Sequence, residues 1–157
     1  MALSSKALDE FIICNRIKAE IIFLQRETRT VAEAAAVLGA KPDQIIKSIL
    51  FLADGEPVLV INNGLARVAW KRLADYLGVS RRRLKTASAE KVLEITGYQV
   101  GAVPPFGHLT ALRTVVATAV YTQTIVYGGG GDVQALMKMT TTELKRVVGW
   151  ETAVISK

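Results

Sequence analysis

The chain has 157 residues, half of them hydrophobic, so it can bury one sizeable core and is too apolar to be disordered. Twenty lysines and arginines against 14 acidic residues give a net charge of +6, which favours an anionic partner. One cysteine and one histidine exclude an intrachain disulfide and a zinc site built from these residue types.

The N-terminal region and the single cysteine indicate the cellular compartment. Cys14 fits a reducing cytosol, because small secreted domains usually carry paired cysteines. No signal peptide is evident, and charged residues interrupt the apolar residues near the N-terminus. We therefore expect a cytoplasmic protein without a membrane partner, a metal or another cofactor.

The first 44 residues alternate helical and extended patterns. A serine near the N-terminus can cap a first helix, and residues 20–24 follow as a strand. Thr30 and Glu33 have the spacing of a helix capping box, and Gly39 ends that helix. A short helical turn at Pro42 then leads into the next strand.

The strand at 45–52 carries an unexpected charge. Both of its faces are apolar apart from Lys47 and Ser48, which predicts a central strand, and the two side chains lie on opposite faces. An ammonium group in such a strand needs an anion, a carbonyl group or a water-filled cleft. The pattern fits a functional cleft at Lys47 and, equally, an edge-strand lysine whose side chain extends to solvent.

Turns and a basic stretch follow the lysine strand. Asp54-Gly55 predicts a hairpin to a strand at 57–61, and a second turn falls at 62–64. A helix is predicted over 70–77, and the basic stretch after it has the pattern of a short strand. Such stretches are usually a solvated face, but this one is also the first candidate for contact with an RNA backbone. Its cations are Arg81, Arg82, Arg83 and Lys85.

The segment 101–108, with the sequence GAVPPFGH, cannot form regular structure. It follows a predicted helix at 88–96. Two prolines remove backbone donors and push Val103 towards an extended conformation, while the glycines free the rest of the backbone. A Pro-Pro segment is more commonly a rigid surface turn than a functional loop.

The last third of the chain adds further strands and a run of four glycines, 128–131. The run fits a flexible hairpin or bulge and, equally, a pocket wall that admits a ligand closely. Strands and helices interleave, but several connections are too short for parallel crossovers. We therefore predict one α/β (α+β) domain, with a curved mixed sheet or partial barrel and flanking helices. The predicted elements are strands at 112–116, 124–127, 133–139 and 152–155 and a helix at 140–148.

Four motifs occur in a fixed order along the chain. They are Thr30-x-x-Glu33-Ala34-Ala35, Ile46-Lys47-Ser48, Gly97-x-x-x-Gly101-x-Val103-Pro104-Pro105-Phe106-Gly107-His108, and the glycine run. From about residue 28 to the C-terminus the chain resembles the YbaK/ProX-type aminoacyl-tRNA editing domains. These domains occur free-standing and as an insertion in bacterial prolyl-tRNA synthetases.

The resemblance implies a function and partners. It implies a free-standing deacylase that hydrolyses the ester of a mischarged tRNA, with a synthetase as a second partner. Two alternatives are a tRNA- or synthetase-binding module without catalysis, and a domain that binds a small molecule in the same cleft. The oligomeric state stays open between a monomer and a homodimer.

The expected chemistry asks little of the side chains, because an aminoacyl ester is already activated and the attacking water mainly needs placement. Lys47 would hold the terminal phosphate or orient the substrate, and the amides of Gly101, Ala102 and Val103 would stabilise the oxyanion. His108 is expected to anchor the loop rather than act as a base. The expected substrate contacts are Thr30, Ser48, Pro104, Pro105, Phe106, Gly107, His108, Gly128, Gly129 and Gly130.

Two departures from the resembled family bear on specificity. Ala117 stands where members often carry an aspartate after the strand that follows the proline loop. The glycine run also lacks the histidine of the alanine-specific relatives. Both departures favour a cysteine-specific or broad-specificity relative.

Overall fold

The computed structural model describes residues 2–25, 28 and 30–157. These residues form five α-helices, eight strands and three short 3-10 turns. The helices are α1 Ser5–Cys14, α2 Val31–Leu38, α3 Trp70–Leu77, α4 Ala89–Thr96 and α5 Thr141–Val148. The strands are β1 Ala19–Phe23, β2 Ile46–Ala53, β3 Glu56–Asn63, β4 Leu84–Thr86, β5 Arg113–Ala117, β6 Ile125–Gly129, β7 Ala135–Thr140 and β8 Thr152–Ala153. The 3-10 turns are Pro42–Gln44, Arg81–Arg83 and Thr118–Thr122.

The strands form two neighbouring sheets. One is antiparallel, in the order β1-β7-β6, and the other is mixed, in the order β4-β2-β3-β5-β8. Among the described residues, a bridge between Ile45, just before β2, and Tyr127 of β6 links them. The predicted mixed α/β fold is confirmed, as two sheets whose described strands do not close into a barrel.

The main core lies on the five-stranded sheet. The centres of β3 and β5 are fully buried, including Leu59, Val60 and Val115, because both strands have a neighbour on each side. Ala117, at the end of β5, is also fully buried in this core. In the part of the chain that the structure describes, no helix is long and apolar enough to span a bilayer.

Local sequence signals fix several of the turns and helix ends. The Thr30 hydroxyl accepts a 3.0 Å hydrogen bond from the Glu33 amide and caps α2, and Gly39 ends the helix with a φ of 66°. Asp54 and Gly55 have φ angles of 50° and 84°, as a type I′ hairpin turn requires. The predicted α2 caps and the predicted hairpin turn therefore occur at the residues that the sequence indicated.

The basic stretch departs from its prediction. Arg81–Arg83 forms a 3-10 turn, closed by a 3.0 Å hydrogen bond from the Arg83 amide to the Ser80 carbonyl, and the strand begins only at Leu84. The reason is the length of the partner strand. Leu84 pairs with Ala53, the last residue of β2, so the residues before Leu84 have no strand beside them.

The strand β2 is central over only part of its length. It pairs with β3 throughout, but β4 lies beside it only at residues 51–53. At residues 46–49 no described strand forms a second ladder with it. The prediction of a central strand is therefore wrong for the half that carries Lys47, and this open half borders the candidate site.

Candidate functional site

A cavity of about 370 Å³ lies between the open half of β2, the segment 100–103 and the β6–β7 hairpin. We term it the loop cavity. Six of the sequence-predicted site residues line it: Thr30, Lys47, Ser48, Gly101, Val103 and Gly129. The rest of the lining, which sequence reasoning missed, is mostly apolar: Thr28, Val31, Ala34, Ile45, Ile46, Ile49, Val100, Val133, Ala135 and Leu136.

Two residues of the segment 101–103, Gly101 and Val103, line this cavity. The Ala102 amide donates a 3.0 Å hydrogen bond to the Gln99 carbonyl, and the Ala102 carbonyl accepts one from Gly131. The amides of Gly101 and Val103 donate to no acceptor among the described residues. Of the three predicted oxyanion donors, Ala102 is therefore occupied and absent from the cavity wall, while Gly101 and Val103 stay available.

The glycine run packs against this segment. A Cβ added at Gly129 would overlap the Val103 carbonyl oxygen and lie 2.7 Å from the Val103 carbonyl carbon. One added at Gly130 would lie 2.7 Å from the Ala135 carbonyl oxygen. The run is thus closely packed backbone rather than a loose hairpin, because β6 and the loop approach closer than any side chain allows.

The remainder of the proline loop turns away from the loop cavity. Pro104, Pro105 and Phe106 are buried, and the Phe106 ring stacks on Phe11 of α1 with ring centroids 5.9 Å apart. Residues 105–108 border a different cavity beside α1 and α5. The predicted substrate contacts at 104–108 therefore do not line the loop cavity, because their apolar side chains fill the space under these helices. Gly128 and Gly130 do not line it either.

The His108 side chain links two parts of the proline loop through a hydrogen bond. Its Nε2 lies 2.7 Å from the Pro104 carbonyl oxygen, as expected for an Nε2–H donor. Burial lowers the pKa of the imidazole below its usual value, and the hydrogen bond to Pro104 offsets only part of this effect. The ring is neutral at pH 7 and faces away from the loop cavity, so its position agrees with an anchoring role.

We expect His108→Ala to weaken the fold more than the chemistry. Losing the loop hydrogen bond should lower the free energy of unfolding by about 1–3 kcal/mol. Because the pKa of His108 is lowered in the folded state, its contribution is present above the unfolded pKa of about 6.5 and fades as pH falls through the folded pKa. Urea unfolding of both proteins at several pH values should show the difference narrowing below pH 6.5, and a constant difference would contradict it.

Lys47 is exposed, not buried, and lies in the half of β2 that β4 leaves open. It pairs across the hairpin with Asn62 and forms no ion pair with a described residue. The predicted alternative, an edge-strand lysine whose side chain extends to solvent, therefore agrees with the observed exposure of Lys47. Its surroundings still form a cleft, since Lys47 borders the loop cavity and a second cavity.

Ser48 points to the opposite face of the strand from Lys47. Its Oγ is buried, and it has no hydrogen-bond partner within the part of the chain that the structure describes. A buried hydroxyl without a partner is unfavourable, and a ligand in the loop cavity could supply the missing hydrogen bond. The side chain of Thr30, by contrast, is occupied by the α2 cap.

The second cavity has a volume of about 380 Å³ and is termed the tryptophan cavity. It adjoins the loop cavity along β2, because Lys47 and Ile49 line both. No Asp or Glu of the described residues lines either cavity. The lining is Lys47, Ile49, Phe51, Ala66, Arg67, Val68, Trp70, Thr86 and Lys157.

One of the predicted RNA-backbone cations, Arg81, lies against a residue that lines the tryptophan cavity. The Arg81 guanidinium stands 4.2 Å from the centre of the Trp70 ring, within the range of a cation–π contact. Arg83 is bound to Asp54 of the hairpin turn at 2.7 Å. Arg81, Arg82 and Lys85 form no ion pair with a described residue, so Arg83 is the member of the group that already has an anionic partner.

Sequence comparison matches residues 25–147 to the aminoacyl-tRNA editing domain. A proline–tRNA ligase of Bacillus licheniformis is 42% identical over 79 residues, which cover 50% of this chain and 14% of the ligase. The uncharacterized protein YwhH of Bacillus subtilis is 33% identical over 89 residues, 56% of this chain and 55% of YwhH. The chain therefore spans only a small part of the ligases that it matches.

Solved structures match the whole fold. A protein proposed to be a trans-editing enzyme for prolyl-tRNA synthetase superposes with a TM-score of 0.92 at 28% identity, covering 100% of this chain and 99% of that one. The hypothetical protein APE2540 superposes with a TM-score of 0.87 at 32% identity, covering 96% and 99%. The fold described above is thus shared over nearly its full length.

Proposed function

We propose that this chain, which belongs to the aminoacyl-tRNA editing domain family, hydrolyses the ester of a mischarged tRNA as a deacylase acting in trans. The observation that carries the proposal is the loop cavity, which is lined by Lys47, Ser48, Gly101 and Val103. The Ser48 hydroxyl and the amides of Gly101 and Val103 have no hydrogen-bond partner among the described residues. The likeness to a protein proposed to edit for prolyl-tRNA synthetase supports it.

The proposed reaction is addition of water to an activated ester. The water oxygen bonds to the ester carbonyl carbon, the bond to the ribose oxygen breaks, and that oxygen leaves with a proton. Since neither an Asp nor a Glu from the described residues lines the loop cavity, we assign the proton transfer to the neighbouring ribose hydroxyl of the substrate, which accepts a proton from the water while it passes its own proton to the leaving ribose oxygen. The products are a free amino acid and an intact tRNA.

The protein's own groups would bind and polarise the substrate. The Gly101 and Val103 amides would donate to the developing oxyanion, which is where aligned donors stabilise a transition state most. Lys47 would hold the phosphate of the terminal adenosine as a point charge, and Ser48 would hydrogen-bond a polar group of the substrate. Gly129 would form the wall beside the ribose.

A deacylation panel tests the proposal. Purified protein is mixed with tRNAPro charged with cysteine, with alanine or with proline, and release of each amino acid is followed. We expect hydrolysis of cysteinyl- or alanyl-tRNAPro and sparing of prolyl-tRNAPro, with Ala117 and the absent histidine favouring the cysteinyl or a broad range. Tight tRNA binding without hydrolysis of any ester would favour the alternative, a non-catalytic module that binds tRNA or a synthetase in the cytoplasm.

The basic stretch supplies a separate prediction about tRNA binding. Changing Arg81, Arg82 and Lys85 to alanine should weaken binding and flatten its salt dependence by roughly one unit of slope per lost phosphate contact. Arg83 is left in place because it pairs with Asp54. Affinity for tRNA is measured at several salt concentrations. An unaltered salt dependence would show that these cations form an ordinary solvated face without phosphate contacts.

A further inference from the structure

We propose that the tryptophan cavity binds the nucleotide that precedes the terminal adenosine of the substrate RNA. The phosphodiester that joins the two nucleotides would lie between Lys47 and Arg67, and the preceding base against Trp70. The inference rests on the proposed function, because it takes the loop cavity as the site of the aminoacyl-adenosine end. It adds a second nucleotide site and the residues that form it.

The first observation is the charge around the cavity. Lys47 on β2 and Arg67, in the connection before α3, both line it, as does Lys157. The fold brings the last two together, since the Lys157 amide donates a 2.7 Å hydrogen bond to the Arg67 carbonyl. Lys47 and Arg67 form no ion pair within the described residues, so both charges are available to an anionic group in the cavity.

The second observation is the apolar wall. Ile49 and Phe51 line the cavity from the same face of β2, opposite Val68 and Trp70. The Trp70 ring is fixed edge-to-face against Phe51, with ring centroids 5.1 Å apart and an interplanar angle of 76°. The Arg81 guanidinium lies 4.2 Å from the centre of the same ring, so the base would stack on a surface formed by Trp70 together with Arg81. Aromatic rings and arginine planes beside cations are the surfaces on which single-stranded bases stack while their phosphates are neutralised.

The third observation is the position of the cavity. It shares Lys47 and Ile49 with the loop cavity, so the two cavities adjoin along one strand. A single strand whose terminal adenosine occupies the loop cavity would therefore reach the tryptophan cavity with its preceding nucleotide. Lys47 at the junction would then contact the phosphodiester between them.

The test compares two substrates that differ in this nucleotide. One is the mischarged tRNA that the wild type hydrolyses best, and the other is the same amino acid esterified to adenosine alone. Arg67→Ala should raise KM for the tRNA about tenfold with little change in kcat, and reduce the salt slope by roughly one unit. It should leave kcat/KM for aminoacyl-adenosine unchanged.

Trp70→Leu should raise KM for the tRNA at least about fivefold through loss of stacking. It should also leave kcat/KM for aminoacyl-adenosine unchanged. Lys6→Ala is the matched control, because Lys6 is an exposed cation on α1 that lines neither cavity. Thermal unfolding of each variant verifies its fold, and Arg67, being exposed, allows a substitution that leaves the core intact.

The outcomes separate the two proposals. An unchanged KM and salt slope of Arg67→Ala on the tRNA, or an equal loss on both substrates, would overturn the second nucleotide site while leaving the deacylase in place. A wild type that hydrolyses neither substrate would overturn the proposed function, and the inference with it. A loss confined to the tRNA, absent in Lys6→Ala, would support the inference.

Discussion

Lys47→Ala is expected to abolish measurable deacylation of the best mischarged tRNA while leaving the fold intact. Lys47 stands at the junction of the two cavities, on the half of β2 that β4 leaves open, with no ion pair among the residues described. Its charge is therefore free for the substrate. Because the side chain is exposed, its removal should alter the free energy of unfolding by less than about 0.5 kcal/mol.

Single-turnover deacylation measures the expected loss of activity in Lys47→Ala, and thermal unfolding measures whether its fold stays intact. Lys47→Arg is the informative second variant, since it keeps the charge but replaces a compact ammonium with a planar guanidinium. We expect partial activity if only charge matters, and none if the point-like geometry matters as well. An unchanged rate in Lys47→Ala, with Lys6→Ala as the control for net charge, would remove Lys47 from the site.

Features of the chain that depend on neighbours in sequence could be predicted well. The Thr30 cap, the Gly39 helix end and the Asp54-Gly55 turn follow from local hydrogen bonds and φ angles, and each occurs at its predicted residue. The irregular proline loop and its own anchor, His108, are local in the same sense, since His108 contacts Pro104 only four residues away.

Features that depend on distant partners were missed or left open. The sequence left Lys47 open between a functional cleft and a solvent-reaching edge, because its place depends on β4, which begins at Leu84 and pairs with only the end of β2. Phe106 turns inward because Phe11, from the first helix, is there to stack on it. The tryptophan cavity combines positions 47, 67, 70 and 157, and no spacing in the sequence links them.

The glycine run offers the sharpest test of the loop mechanism. Gly129→Ala should place a methyl group on the Val103 carbonyl, and backbone atoms cannot rotate away as a side chain can. The segment carrying the Gly101 and Val103 amides must then shift. We expect single-turnover deacylation to fall about a hundred- to a thousandfold, the usual cost of losing one aligned oxyanion donor.

Gly128→Ala is the matched control from the same strand. Its added methyl group would lie 3.3 Å from a side-chain atom of Ile46 and 3.4 Å from one of Pro105, contacts that small adjustments can relieve. Gly101→Val probes the other side of the loop through its backbone conformation. A Cβ there meets no described atom within 4 Å, so its cost comes from the φ of 90°, which a β-branched residue rarely adopts.

Measuring tRNA affinity distinguishes a displaced oxyanion donor in Gly129→Ala from general damage to the fold. Under the proposed function, affinity for uncharged tRNA would rest on phosphate contacts outside the loop, so it should change little in Gly129→Ala. Overpacking should also cost about 1–3 kcal/mol of stability, which urea unfolding will measure and which leaves a domain of ordinary stability folded. If Gly129→Ala keeps full activity, or if Gly128→Ala or His108→Ala is the more severe lesion, backbone amides of this loop do not stabilise the oxyanion, and a side-chain mechanism must replace them.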